Sequence, residues 1–125
     1  MAVMDTSALI DLGNGNRRIL EAIEKAGGEH ELVIPAPAVF ELSAGSPAGL
    51  DESRRRLVGI FTVLPFTSAH AEQAGNVFRQ LKNKGREIGA LDAMIAGMAL
   101  VEKQPVITAN AKHFSRVEGL EVITY

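Results

Sequence analysis

An α/β fold, a mostly parallel sheet covered by helices on both faces, is what this 125-residue sequence predicts. Three observations carry that expectation. Short apolar runs recur along the chain, separated by segments whose apolar residues repeat at helical spacing. Residues favoured at helix N-caps stand where several of those runs end. Residues 88–101 are apolar or small on nearly every helical face, as in a helix buried all round. Strands alternating with helices from end to end imply parallel pairing, because parallel strands need a crossover that a helix supplies.

Ala2-Val3-Met4 is short but suits a strand buried on both faces. Asp5-Thr6-Ser7 offers three capping side chains ahead of Ala8-Leu9-Ile10, and Gly13-Asn14-Gly15-Asn16 breaks the chain. From Arg17 to Ala26, Ile19, Leu20 and Ile23 mark an amphipathic helix closed by Gly27-Gly28. Leu32-Val33-Ile34 is the second strand, stopped by Pro35. Ala36 to Ala44 is a helix, since Pro is tolerated in a first turn. Asp51 to Phe61 is helical, with Leu57, Ile60 and Phe61 inward, and Thr62-Val63-Leu64 is the third strand. Thr67 or Ser68 caps a long helix to Lys84, with a buried stripe of Ala71, Ala74, Val77, Phe78 and Leu81. The remaining elements are a helix from Gly89 to Glu102, a strand over Pro105–Thr108, a short helix from Ala111 to Arg116 and a last strand from Leu120 to Tyr125.

No linker, repeat or low-complexity tract divides residues 1–125, so a single domain is expected. The 46% of apolar and 22% of charged residues are ordinary for a globular domain and exclude disorder. No apolar run approaches the roughly 20 residues of a membrane span. Asp5 follows Met1-Ala2-Val3-Met4 at once, leaving no room for a secretory leader. The absence of cysteine excludes disulfides and thiolate zinc sites and fits a cytoplasmic protein. A formal net charge of −2 gives no global attraction for nucleic acid, so any such binding has to be local.

Asp5, Glu41, Asp92 and Asn110 stand at, or just beyond, transitions from strand to helix. In an open parallel sheet those positions gather at the carboxyl ends of the strands. Taken singly, each has a plainer explanation. Asp5 and Asn110 are good N-caps, and Asp92 in a first turn suits the helix dipole. Glu41 can lie on a surface, although Pro37 and Gly45 occupy the positions where helical charge partners would stand. Asp92 is the only ionisable residue from 88 to 101, where an unpaired carboxylate costs several kcal/mol or takes up a proton. Brought together, three carboxylates and an amide repel unless a hard cation neutralises them, and all-oxygen ligands suit Mg²⁺ or Mn²⁺.

In order and spacing, Asp5-Thr6-Ser7-Ala8-Leu9-Ile10, Glu41-Leu42, Leu91-Asp92-Ala93-Met94-Ile95-Ala96 and Thr108-Ala109-Asn110-Ala111-Lys112-His113-Phe114 resemble the motifs of the PIN-domain family, specifically its VapC-type toxins of toxin–antitoxin pairs. The resemblance spans nearly the whole chain. It implies a PIN-like three-layer α/β/α sandwich with about five strands and an Mg²⁺- or Mn²⁺-dependent endoribonuclease. It makes Asp5 and Asp92 direct metal ligands, lets Glu41 bind the metal or orient its water, and has Asn110 complete the ring. Thr6, Ser7 and Thr108 carry hydroxyls suited to hold those groups in place. Many members have an acid at the fourth position; Asn110 adds no charge, which favours one tight metal site. A VapB-like antitoxin and a homodimer are the partners implied.

For RNA, Arg79, Lys82, Lys84 and Arg86 at the end of the long helix, with Lys112 and Arg116 beyond Asn110, are the candidate phosphate contacts. Arg54-Arg55-Arg56 reads as a solvated helix face. One Tyr and no Trp leave no evident stacking platform. His30, His70 and His113 show no metal spacing and read as structural or surface groups, with His113 close enough to Asn110 for a peripheral role. Two rivals remain. A haloacid-dehalogenase-like phosphatase needs an Asp where Ser7 stands, and a receiver needs a mid-chain Asp after a strand, which is missing. A PIN-like binding module without catalysis would have no use for three retained carboxylates.

Overall fold

The computed structural model describes residues 1–28 and 32–125. In chain order the elements are β1 (Ala2–Met4), α1 (Thr6–Gly13), α2 (Arg17–Lys25), β2 (Leu32–Pro35), α3 (Ala36–Ala44), α4 (Glu52–Ile60), β3 (Thr62–Leu64), α5 (Ser68–Asn83), α6 (Ala90–Glu102), β4 (Val106–Ile107), α7 (Ala111–Phe114) and β5 (Val122–Ile123). Every pairing is parallel, in the order β3-β2-β1-β4-β5. From β1 the chain winds outward through β2 to β3, then returns to the other side of β1 for β4 and β5. The strand order therefore reverses between β1 and β4. At such a switch point the connections leave in opposite directions and open a crevice at the carboxyl ends of the strands.

Successive strand residues face opposite ways, and each face builds its own core. Val3, Val33 and Val106 point to one side, where Val77, Leu81, Ile95, Ala96 and Phe114 cover them. Ala2, Met4, Leu32, Ile34 and Ile107 point to the other, against Leu9, Ile19, Ile23, Ala38 and Leu42. Each large side chain so buried contributes about 1.5–3 kcal/mol. The result is the expected α/β/α sandwich.

Local chemistry sets the helix starts. Asp5 caps α1 by accepting from the Ala8 N–H at 2.9 Å, and Asp51 caps α4 through the Arg54 N–H at 2.8 Å. Thr67 and His70 form a reciprocal capping box at α5: the Thr67 N–H donates to His70 Nδ1 at 3.0 Å, and the His70 N–H to Thr67 Oγ1 at 3.3 Å. Lys103 closes α6 in the left-handed conformation, at φ 56°. That conformation costs an L-residue roughly 1–2 kcal/mol, which glycine does not incur. Lys103→Gly should therefore stabilise the fold by about 1 kcal/mol, read as a higher melting temperature; an unchanged or lower midpoint refutes this.

Three expectations about facing need correction. Phe78 and Ala71 are exposed, because α5 turns His70, Ala74, Val77 and Leu81 inward instead. Ile60 is 71% exposed, whereas Leu57, Val58 and Phe61 pack on the core. Leu20 in α2 is also exposed. Among the described residues, no helix is long and apolar enough to cross a membrane.

Candidate active site

Asp5 stands at the end of β1 and Thr108 directly after β4, on the two sides of the switch point. Their backbones extend the sheet: the Asp5 N–H donates to the Ile107 carbonyl at 3.2 Å and the Thr108 N–H to the Ile123 carbonyl at 3.1 Å. Thr108 Oγ1 donates to Asp5 Oδ2 at 2.5 Å, while Ser7 Oγ donates to Asp5 Oδ1 at 2.7 Å. The same hydroxyls look outward as acceptors. Thr108 Oγ1 takes the Asn110 N–H at 2.8 Å, and Ser7 Oγ takes the Ala109 N–H at 3.1 Å. Asp5 is thus a helix cap and more than a cap: three donors fix a carboxylate that is only 4% exposed.

Glu41 comes from α3, the helix after β2. Its Oε1 accepts from Thr6 Oγ1 at 2.7 Å, tying it to the residue beside Asp5. Asp92 lies in the first turn of α6, where no side chain caps the helix. Its Oδ2 lies 3.0 Å from His113 Nδ1, and Asn110 Nδ2 lies 3.1 Å from that same nitrogen. The Asn110 side chain makes no capping bond to α7. A hydrogen-bonded path therefore runs from Asp5 through Thr108 to Asn110, and through His113 to Asp92. Ser7 and Thr108, expected from the sequence as supports, serve that path, while Thr6 supports Glu41.

The electrostatics are those of a site built for charge. Burial is the main cause that pushes the Asp5 carboxyl above its usual range; the hydroxyls and the Ala8 N–H pull it back, and the Asp92 charge adds to the rise. Asp5 and Asp92 are thus near enough to repel. Among the described residues no lysine or arginine pairs with Asp5, Asp92 or Glu41. Nor do any three acid or histidine side chains there form a ready cation cage. Asp5 and Asp92, near enough for one charge to act on the other, would together with water fit the donor set of Mg²⁺, which keeps several waters and takes one or two carboxylates.

Sequence reasoning left two participants out of the core set. His113, three residues after Asn110 in α7, links Asn110 to Asp92; the Asn-to-His spacing of one short turn was its only signal. Tyr125, the sole tyrosine, donates to Asp11 Oδ2 at 2.6 Å. Burial first, then Asp11 and the charge of Asp5, hold its hydroxyl well above the ordinary phenol range, so it remains a donor beside the acids.

The basic candidates scatter. Arg116 Nη1 donates to the Glu87 carbonyl at 2.8 Å, and Arg79 Nη2 to Asn76 Oδ1 at 3.0 Å. Lys84 and Arg116 line a groove with Gln73, Gln80 and Glu118. Lys82, Arg86 and Lys112 are exposed, Lys112 directly before His113. In the arginine run, Arg56 pairs with Glu52 on the surface, but Arg54 Nη1 reaches the Leu42 carbonyl at 3.2 Å. His70, read as structural or surface, is buried. His30 lies outside the described residues.

Residues 2–120 match the PIN domain. The chain is 30% identical over 131 residues to Ribonuclease VapC of Rickettsia bellii, covering 98% of this chain and 94% of the relative. The structure of VapBC-1 from nontypeable Haemophilus influenzae is similar at a TM-score of 0.80 and 26% identity, over 98% of this chain and 96% of that one. DNA-bound VapBC from Salmonella typhimurium is similar in fold, with a TM-score of 0.78 and 23% identity over 98% and 96% of the two chains. The ordered acids at the switch point, the three-layer sandwich and these similarities lead to one conclusion: the chain belongs to the PIN-domain family, with VapC ribonucleases among its relatives.

Proposed function

We propose that this chain is a Mg²⁺- or Mn²⁺-dependent endoribonuclease and the toxin of a type II toxin–antitoxin pair, held in check by a VapB-like antitoxin. The observation that carries the reading is the hydrogen-bonded path from Asp5 through Thr108, Asn110 and His113 to Asp92, with Glu41 held separately by Thr6, the residue next to Asp5. The relative named Ribonuclease VapC and the similar VapBC structures support it.

Asp5 and Asp92 would hold the cation, with Glu41 as a further candidate ligand or water-orienting group. When bound, a divalent ion would supply neutralisation of charge on the scissile phosphate and acidification of the attacking water. Thr108 and Ser7 keep the Asp5 oxygens in place, so little reorganisation is left for the moment of reaction. Glu41 is steadied through Oε1 by Thr6, which leaves Oε2 to orient the water and accept its proton. In-line attack breaks the bond from phosphorus to the 3′ oxygen and leaves 5′-phosphate and 3′-hydroxyl ends. Lys112, exposed and two residues after Asn110, is the basic group best placed to meet the RNA backbone. Exposed Ile10, Leu20, Phe40, Ile60 and Phe78 are apolar surface available to a protein partner, the antitoxin or a second copy of the chain.

The purified chain, freed of antitoxin, is expected to cut RNA with Mg²⁺ or Mn²⁺ and to stop in excess EDTA. Asp92→Asn should lose at least about 100-fold in rate, since loss of even a partner of a metal ligand costs roughly 10–100-fold. Cutting that persists in EDTA, or at the wild-type rate in Asp92→Asn, would falsify the proposal.

A further inference from the structure

We infer that His113 is a positioning residue that aims Asp92 at the cation and couples Asn110 to it; the inference rests on the metal-dependent reading of the site. A single ring nitrogen, Nδ1, lies 3.0 Å from Asp92 Oδ2 and 3.1 Å from the Asn110 amide. If Nδ1 were unprotonated, its lone pair would face a lone pair of the carboxylate. The proton therefore sits on Nδ1 and is donated to Asp92. An N–H that donates to a carboxylate cannot also accept from an amide NH₂. The Asn110 side chain accordingly turns its oxygen, not its nitrogen, toward the ring, an assignment that follows from the hydrogen-bond network.

The consequence is a division of labour on Asp92. Oδ2 is occupied by the imidazole, and Oδ1 is left for the ion. A carboxylate fixed on one side by a donor ligates more strongly than one free to rotate, because its orientation is set beforehand. Asp5 likewise has its orientation set by donors, Thr108 on Oδ2 and Ser7 with the Ala8 N–H on Oδ1. Asp5 is locked from within its own strand ends, whereas Asp92 sits on α6, a different element, and has no capping bond of its own. His113 from α7 is the only side chain among the described residues that grips it. His113 also ties α7, and with it Asn110, to α6. In a site whose fourth position carries no charge, Asn110 contributes through this contact rather than as an anion.

Two substitutions separate a donor role from simple packing. His113→Phe keeps the ring and removes the donor. His113→Asn removes the ring but keeps an N–H carried on Cγ, the same remove from the backbone as Nδ1. Mn²⁺ binding is measured by calorimetry on the RNA-free proteins, alongside melting of the metal-free forms. His113→Phe should bind Mn²⁺ about 10–100-fold more weakly than wild type, with an unchanged metal-free melting temperature. His113→Asn should stay within a few-fold of wild type. In cleavage assays His113→Phe should regain rate as Mn²⁺ is raised by the same factor, with KM for RNA unmoved. Wild-type affinity in His113→Phe, or equal weakness in both variants, overturns the inference and leaves the nuclease reading standing. A wild-type protein that takes up no Mn²⁺ overturns both.

Discussion

Asp5→Asn is expected to be inactive yet, without metal, at least as stable as the wild type. The activity loss should exceed about 100-fold, because a direct ligand is removed rather than one of its supports. The stability result follows from the burial of Asp5, which raises its carboxyl above the usual range. Well below that range both folded and unfolded chains carry the proton, and burial of a neutral acid costs little. As pH rises, the unfolded chain ionises first, so the native state binds more protons and stability falls. Once folded Asp5 also ionises, the loss is constant. Asparagine avoids it. Its Oδ1 still accepts from Ser7 and Ala8, and its amide faces Thr108 Oγ1, whose hydroxyl turns to accept. The metal-free melting temperature of Asp5→Asn should thus match wild type in acid and meet or exceed it at pH 7. Added Mn²⁺ should raise only the wild type, since a ligand stabilises the state that binds it. A variant that melts well below wild type at pH 7 without metal shows that the hydrogen bonds outweigh the buried charge.

Gly97→Ala should be the most damaging single methyl in the molecule. A Cβ built at Gly97 would lie 2.6 Å from Ala74 N, 2.7 Å from its Cα and 2.9 Å from its Cβ. Two of those atoms are backbone and cannot rotate away, so α5 and α6 must separate. Overpacking of this kind costs about 1–3 kcal/mol, at the upper end here, while the better helix propensity of alanine returns roughly 1 kcal/mol. A drop in melting temperature of about 4 °C per kcal/mol of net loss should follow. Because α6 also carries Asp92, its displacement should weaken Mn²⁺ binding as well. Gly75→Ala is the internal control: it lies on the facing helix, and a Cβ there meets nothing within 4 Å. Equal melting of the two alanine variants would show that the close approach at Gly97 is not what holds these helices together.

The facing of α5 shows where reading a sequence reaches its limit. Two apolar stripes compete on that helix, one through Ala71, Ala74 and Phe78, the other through His70, Ala74, Val77 and Leu81. Hydrophobicity favours the first, because Phe78 outweighs a histidine. The second is adopted because the His70 ring is satisfied at once by the Thr67 N–H, which removes most of the cost of burying it. Gly97 then admits Ala74 at a distance no other residue would allow. Neither a satisfied imidazole nor a helix pair in backbone contact leaves a trace in hydropathy. His113 was hidden for a similar reason: its partner Asp92 is 21 positions away, and only the docking of α7 on α6 joins them.

What the amino-acid order determined by itself was local in origin: apolar runs of strand length, capping residues at their ends, an α6 with almost no polar face, and hence a parallel sheet with acids at its carboxyl edge. Those features depend on neighbours a few positions apart, whose energetics a linear reading contains. Tertiary structure alone decided which oxygens share a proton, that Asp5 is buried by partners over a hundred positions away, and that the basic residues disperse instead of forming one track. The physical reason is that hydrogen bonds and desolvation act over a few ångströms of space, and only the winding of β1 and β4 into adjacent strands converts sequence distance into such proximity.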